Sequence, residues 1–164
     1  MNGRYWGVYE IREKVDDHDF TDHYYDQQKD SIQFLKTWGG TWVEYGGPQA
    51  QTDWDNLKNY ILSNPMNNAA NYTTVKSQFN TGSLIDYFLL NSYVVCADWL
   101  NWNTAWWRGM AQTGEKKKWR YTLWDMDNTF DHGTNYTGIP TQSVNADPCD
   151  PSSLNDPGGQ GHIP

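Results

Sequence analysis

The sequence predicts a single α+β domain, with a small antiparallel sheet near the N-terminus followed by a helical part. Three observations support this prediction. Residues alternate with a period of two in segments 4–13 and 31–38, as they do in strands. Segment 83–97 is long and apolar and starts with helix-capping residues. Segments 104–108 and 117–124 are strand-like and flank a polar turn, which predicts a hairpin.

Aromatic residues indicate that the chain folds despite its polar composition. The mean hydropathy is −0.87, yet the 164 residues include ten Trp, eleven Tyr and five Phe. Disordered segments are poor in aromatic residues, and each buried ring removes a large apolar area from water. The net charge is −8 and the only basic run, residues 116–118, is short. Non-specific binding of nucleic acid is therefore disfavoured.

No membrane-spanning segment is predicted, because no apolar run reaches about 18 residues. The first residues carry no signal-peptide pattern and already alternate like a strand inside a sheet. The last residues, 158–164, predict no closing element, so we expect a fragment truncated at both ends. Cys96 lies in an apolar run and is predicted to be a buried small hydrophobe. Whether Cys96 pairs with Cys149 stays open.

The predicted N-terminal part spans about residues 1–48 and consists mainly of strands. After the strand at 4–13, segment 14–30 carries six Asp and two His. It is predicted to be a loop with a short helical turn, either solvated or able to bind a divalent cation. The strand at 31–38 ends at two glycines, and residues 42–45 are predicted to pair with it.

The predicted C-terminal part spans about residues 52–164 and begins with helices. Thr52 opens the first helix, whose apolar residues recur at intervals of three and four until an Asn-Pro pair ends it. Another helix is predicted over residues 75–79. In the clearest helix Ser83 is the predicted cap, with an acidic residue three positions later, and the body runs to about residue 97. This helix is apolar nearly all round, which predicts burial on most sides.

Asp98, Asn103 and Asp125 occur in an order that points to phosphoryl transfer. Asn103 follows Asp98 by five residues, and the predicted hairpin then leads to Asp125. The catalytic half of a protein kinase has the same order: the first Asp accepts the substrate hydroxyl proton, and the Asn and the later Asp hold metal ions. Carboxylate and amide oxygens suit Mg²⁺. The alternative is that polar residues simply cluster where helix and strands end.

Asp127 has two open interpretations. If the strand continues past Asp125, its period of two turns both carboxylates to one side, where both can reach one metal ion. Otherwise Asp127 is an Asx-turn residue. An EF-hand calcium loop starting at Asp125 is excluded, because Phe130 and Tyr136 occupy the positions that require Gly and Glu.

Lys36 lies within a predicted strand and also has two interpretations. It shares the phase of Ile32, Phe34 and Trp38, which favours an inward position from which it could hold nucleotide phosphates. The alternative is an ordinary lysine whose stem covers apolar surface while its ammonium group reaches water.

Four parts of the chain resemble the spore-coat-protein-H (CotH) family of atypical protein kinases. They are residues 5–13 with the acidic pair at 16–17, and segments 34–36, 98–103 and 124–127. The resemblance covers nearly the whole chain. It implies a divergent protein-kinase-like fold that binds ATP with Mg²⁺ or Mn²⁺ and phosphorylates Ser or Thr of secreted or surface proteins. It also implies an extracellular or cell-surface location.

By position, the resemblance implies roles for individual residues. Asp98 would be the catalytic Asp and Lys36 the nucleotide lysine. Glu13 would be a carboxylate that supports the metal site or pairs with that lysine. The implied metal ligands are Asn103, Asp125 and, in support, Asp127.

A rival interpretation is a non-catalytic surface-adhesion or glycan-binding module. The chain has no glycine-rich phosphate loop of the usual kinase kind. Exposed Trp, Asp and Asn side chains would bind the glycan or the protein partner. Most of the Trp residues, however, fall within strand and helix patterns and are predicted to belong to the core.

Overall fold

The computed structural model describes residues 18–28, 30–94, 96, 103–110, 115–126 and 129, and it has the predicted α+β architecture. Its elements in chain order are α1 (His18–Tyr25), β1 (Ile32–Thr37), β2 (Thr41–Tyr45), α2 (Gly47–Ser63), α3 (Ala69–Gln78), α4 (Thr81–Tyr93), β3 (Thr104–Gly109) and β4 (Arg120–Leu123). The predicted strand at residues 4–13 lies outside the described residues. Within the described part of the chain, no helix has the length and apolar character needed to cross a membrane.

The four strands form one antiparallel sheet in the order β2-β1-β3-β4. The predicted pairing of β1 with β2 is confirmed, and the predicted hairpin of β3 and β4 is also present. β3 pairs with β1 on the side opposite β2, along the whole length of both strands. The strand pair and the hairpin, which the sequence analysis assigned to different parts of the chain, therefore share one sheet. The sheet thus contains strands from both sides of the predicted boundary near residues 48–52.

The sheet is buried on both faces, so every side chain of β1 is buried. On one face, Leu35 and Trp106 belong to a cluster that includes residues of α2, α3 and α4. On the other face, Phe34 and Trp107 form a second cluster against Tyr25 of α1. Alternate residues of β1 thus enter opposite cores, which follows from the period of two in a strand.

Trp54 of α2 lies at the centre of the larger cluster and is 1% exposed. Its ring centroid is 5.3 Å from that of Trp119 and 5.5 Å from that of Trp106. The prediction that most Trp residues belong to the core is confirmed for these three and for Trp107. Trp38 is different, with 61% of its surface exposed.

Three helices extend further than the sequence predicts. Two turns of helix, α1, form within the segment predicted to be mainly loop. α2 begins at Gly47 rather than at Thr52, because Pro48 occupies the first turn, where its fixed φ and missing N–H favour a helix. α3 begins at Ala69, since the side chain of Asn68 caps the free N–H groups of its first turn.

Two predictions for α4 are wrong. Asn80, not Ser83, caps the helix: its Oδ1 accepts from Ser83 N at 3.1 Å, and Ser83 Oγ accepts from the main chain of β4 at 3.2 Å. The helix is also not buried on most sides, because a surface helix meets the sheet along one face only. Tyr87 is buried on that face. The apolar side chains exposed elsewhere on α4 are Ile85, Leu89, Leu90 and Tyr93.

A charged network ties α2 to the sheet. Asp53 of α2 accepts hydrogen bonds from Gln33 of β1 at 2.7 Å and from Arg108 of β3 at 2.5 Å. Its second oxygen accepts from Gln49 at 2.8 Å. Arg108 also donates to Gln33 at 2.6 Å, and its guanidinium lies 4.9 Å from the ring centre of Trp119. The network therefore links one helix and two neighbouring strands.

Asp53→Asn is expected to cost about 1 to 3 kcal/mol of unfolding free energy, because Arg108 loses its charged partner. Burial alone would raise the pKa of Asp53, but hydrogen bonds from Gln33 and Gln49 and the charge of Arg108 lower it below its ordinary value. Since this pKa is lower in the folded chain, Asp53 adds stability above about pH 4, and that stability is lost as the pH falls through the folded-state pKa.

Urea unfolding at neutral pH and at acidic pH measures both effects. The control is Asp55→Asn, because the contacts of Asp55 with Gln51 at 3.0 Å and with Lys58 at 3.3 Å stay within the same helix and do not reach the sheet. That variant should change stability by less than about 0.5 kcal/mol. Equal costs for the two variants, or an unchanged pH dependence in Asp53→Asn, would contradict the assignment.

Candidate functional site

The sheet register brings three of the predicted site residues to one edge. The last residue of β1 and the last residue of β4 both pair with Thr104, the first residue of β3. Lys36 is the penultimate residue of β1, Asn103 directly precedes β3, and Asp125 follows β4 by two residues. The three predicted site residues that the structure describes therefore lie at the same edge of the sheet, although they are far apart in the sequence.

Asn103 and Asp125 are joined at this edge. Asn103 Nδ2 donates to the main-chain oxygen of Asp125 at 3.1 Å. Both residues have left-handed backbone conformations, with φ of 49° and 56°. Asn and Asp adopt this region more readily than other non-glycine residues, because their short polar side chains form local hydrogen bonds. The chain therefore turns sharply at both residues, and the hydrogen bond between them holds the two turns next to each other.

The side-chain oxygen of Asn103 fits a metal ligand. Asn103 is 4% exposed, and its Oδ1 has no hydrogen-bond partner among the described residues. The amide orientation is fixed, because Nδ2 must face the carbonyl that accepts its proton. Buried polar atoms are normally satisfied, so an unpartnered amide oxygen beside an Asp suits a hard cation such as Mg²⁺.

One of the two interpretations of Asp127 required the strand to continue past Asp125. β4 instead ends at Leu123, and Asp125 has a left-handed φ of 56°, so that condition is not met at Asp125. Asp127 itself lies outside the described residues, as do Asp98 and Glu13. Among the residues that the structure describes, no three His, Cys, Asp or Glu side chains form a cluster able to hold a metal ion. Mg²⁺ does not require one, since it commonly takes one or two carboxylates and keeps several waters.

Lys36 lies inward, as its strand phase predicts, and is 3% exposed. Its Nζ is 3.9 Å from Glu44 Oε1 on β2. The ammonium group also lies 4.9 Å from the ring centre of Trp124 and 5.6 Å from that of Phe34. The sequence analysis missed Glu44 and Trp124 as its neighbours. The predicted pairing of the two strands was the signal that could have placed Glu44 beside Lys36.

A family model described as CotH kinase protein matches residues 1–158. The chain belongs to this CotH kinase family. No curated protein and no solved structure matches it. Family membership agrees with the resemblance seen in the sequence and gives the chain a kinase-like fold and a kinase-like function in general terms.

A cavity of about 250 Å³ in this CotH kinase family member lies beside the candidate site, between α4 and β4. Tyr87 lines it and donates a hydrogen bond to Thr104 Oγ1 at 3.2 Å, directly next to Asn103. Tyr87 also stacks on Tyr121, with ring centres 5.1 Å apart. Burial raises the pKa of both phenols. Tyr87 therefore stays protonated and fixes the start of β3, where Asn103 is held.

Proposed function

We propose that this CotH kinase family member transfers the γ-phosphoryl group of ATP, with Mg²⁺ or Mn²⁺, to Ser or Thr of secreted or surface proteins. The observation that carries the proposal is the buried amide oxygen of Asn103 beside Asp125, which has no hydrogen-bond partner in the part of the chain that the structure describes. A structural Asn would be expected to use both ends of its amide. In Asn103, Nδ2 donates to the main chain of Asp125, and Oδ1 is the atom that we propose binds the metal ion.

Each proposed residue has a distinct task. Asn103 and Asp125 would hold the metal ion, with Asp127 in support. A bound divalent cation supplies charge neutralisation at the phosphates. Lys36 would bind phosphate oxygens, and its burial strengthens that attraction because the local dielectric is lower than in water. Asp98 would orient the substrate hydroxyl and accept its proton.

The substrate class is part of the same proposal. The family resemblance favours a secreted or surface protein, such as a spore-coat component, as the acceptor and an extracellular or cell-surface location. The net charge of −8 favours polypeptides that carry basic residues near the acceptor hydroxyl. Glu13 keeps the supporting role near the lysine or the metal that the resemblance implies.

Transfer of labelled γ-phosphate from ATP, to the chain itself or to a basic acceptor protein, tests the proposal. Wild-type chain should transfer phosphate only when Mg²⁺ or Mn²⁺ is present. Asp98→Ala and Asp125→Ala should each abolish transfer, because one removes the base and the other a metal ligand. Retained activity in either variant would refute the assigned role.

A glycan-binding or adhesion module is the second candidate, and the exposed rings of Trp38 and Trp42 favour it. They are 61% and 38% exposed, and exposed aromatic faces can stack on sugars. This candidate predicts binding on a glycan array that is insensitive to ATP and to Asp125→Ala. Loss of glycan binding in Trp38→Ala without any phosphoryl transfer by the wild-type chain would favour it over the kinase.

A further inference from the structure

Lys36 and three neighbouring side chains form a closed ring of contacts. Lys36 Nζ lies 3.9 Å from Glu44 Oε1, and Trp42 Nε1 donates to the other oxygen of Glu44 at 2.8 Å. The ring of Trp42 meets that of Trp124 edge to face, with centres 5.9 Å apart and planes at 79°. Trp124 closes the ring, since Lys36 Nζ lies 4.9 Å from its ring centre. We call this set the Lys36 ring.

We propose that Trp124 is a positioning residue that holds the ammonium group of Lys36 in place for nucleotide phosphates. This inference rests on the proposed kinase function. A cation over an indole face is attracted by the electron-rich ring. The attraction brings no negative charge, so Trp124 can fix Lys36 without competing electrostatically with phosphate, which a second carboxylate would do.

Glu44 attracts Lys36 without a direct hydrogen bond between the two side chains. At 3.9 Å the Lys36–Glu44 distance exceeds that of a charge-assisted hydrogen bond, which is about 2.7 to 2.9 Å. Glu44 is itself held by Trp42, whose indole N–H donates to it. Lys36 thus lies near a carboxylate and over the face of Trp124, and Trp42 contacts both of these groups.

Trp124 also connects the nucleotide lysine to the candidate metal site. It directly precedes Asp125, whose main-chain oxygen accepts the hydrogen bond from Asn103. The backbone that places the indole over Lys36 is therefore the backbone that presents the Asp125 carboxylate. A change in this segment would move the lysine support and the metal ligand together.

The test compares Trp124→Leu, which removes the ring, with Trp124→Phe, which keeps an aromatic face. Tyr72→Leu is the control, because Tyr72 is an exposed aromatic residue on α3, outside the Lys36 ring. The first measurement is the NMR shift of the ε-methylene protons of Lys36 in the full chain, with lysine ¹³C-labelled and the signal assigned with Lys36→Arg. The aromatic face should shift these protons upfield in wild type, Trp124→Phe and Tyr72→Leu. The shift should fall strongly in Trp124→Leu, where the more distant ring of Phe34 remains.

The second measurement is steady-state phosphoryl transfer as a function of ATP concentration. Trp124→Leu should raise the KM for ATP about tenfold with little change in kcat, because binding of phosphate is weakened equally in the ground and transition states. Trp124→Phe should restore most of the affinity, and Tyr72→Leu should match wild type. A purely structural role for Trp124 would not predict rescue by Phe together with a selective change in KM.

The outcomes separate the inference from the proposed function. An upfield shift of wild-type size in Trp124→Leu, or a KM for ATP that is unchanged although the shift falls, would overturn the positioning role. If wild-type chain has the shift but binds no ATP with Mg²⁺ or Mn²⁺, the kinase proposal fails, and the positioning role that rests on it fails for that reason and not because the contact is absent.

Discussion

Replacing Asn103 with glycine is expected to abolish metal-dependent phosphoryl transfer while leaving the fold intact. The substitution removes the amide oxygen, which no described residue contacts by a hydrogen bond, and also the bond to the main chain of Asp125. Loss of a metal ligand costs several kcal/mol of transition-state stabilisation, so activity should fall at least about a hundredfold. Glycine adopts the φ of 49° at this position without strain. Steady-state rates at a series of Mg²⁺ concentrations measure the loss.

Asn103→Ala is the matched control for this result. It removes the same amide but must place a Cβ in a left-handed conformation, which costs about 1 to 2 kcal/mol. The two variants should therefore lose activity equally and differ in stability. If Asn103→Gly keeps the wild-type rate and Mg²⁺ dependence, or if activity follows the stability of the two variants, Asn103 is not a metal ligand.

Trp54→Ala is expected to lower the free energy of unfolding by about 3 to 5 kcal/mol. Trp54 is 1% exposed, and its ring packs against Trp106, Trp119 and Phe79, with centroids 5.3 to 6.1 Å away. Removing it leaves a cavity among large rings that cannot close completely. Because small domains are stable by only about 5 to 15 kcal/mol, a large part of the total stability would be lost.

Urea unfolding followed by far-UV circular dichroism measures this effect without depending on tryptophan fluorescence. The control is Trp38→Ala, because Trp38 is 61% exposed. Its removal should change stability by no more than about 0.5 kcal/mol. A Trp54→Ala variant as stable as Trp38→Ala would show that α2 does not anchor the core on this face of the sheet.

Local periodicity explains which parts of the fold were predictable. The strand containing Lys36 and its partner strand could be read from alternation, because that pattern lies within each segment. The pairing of this strand with β3 could not, since the two are separated by three helices and no local pattern encodes the choice of partner. The exposed face of α4 was also missed, because an all-round apolar sequence does not say which face meets the sheet.

The candidate site was likewise predictable only where a local sequence pattern encodes it. The order of Asn103 and Asp125 predicted that they act together, and the structure places them in hydrogen-bond contact. Their left-handed backbones and the end of β4 before Asp125 depend on tertiary contacts, so strand phase could not predict them. The sequence analysis did not predict the contacts around Lys36, because Trp42, Glu44 and Trp124 share no sequence pattern and meet only in the folded chain. Asp98, Glu13 and Asp127 lie outside the described residues, so their roles stay predictions.

Thermal unfolding with and without ATP and Mg²⁺ or Mn²⁺ tests the central claim, a metal-dependent nucleotide site at this sheet edge, most directly. Ligand at about 100 times its Kd adds about 2.7 kcal/mol, which for a chain of this size raises the Tm by roughly 5 to 10 °C. We expect this shift in the wild-type chain only with metal present, and its loss in Asp125→Ala. An unchanged Tm in the wild-type chain, or an equal shift in Asp125→Ala, would contradict the account.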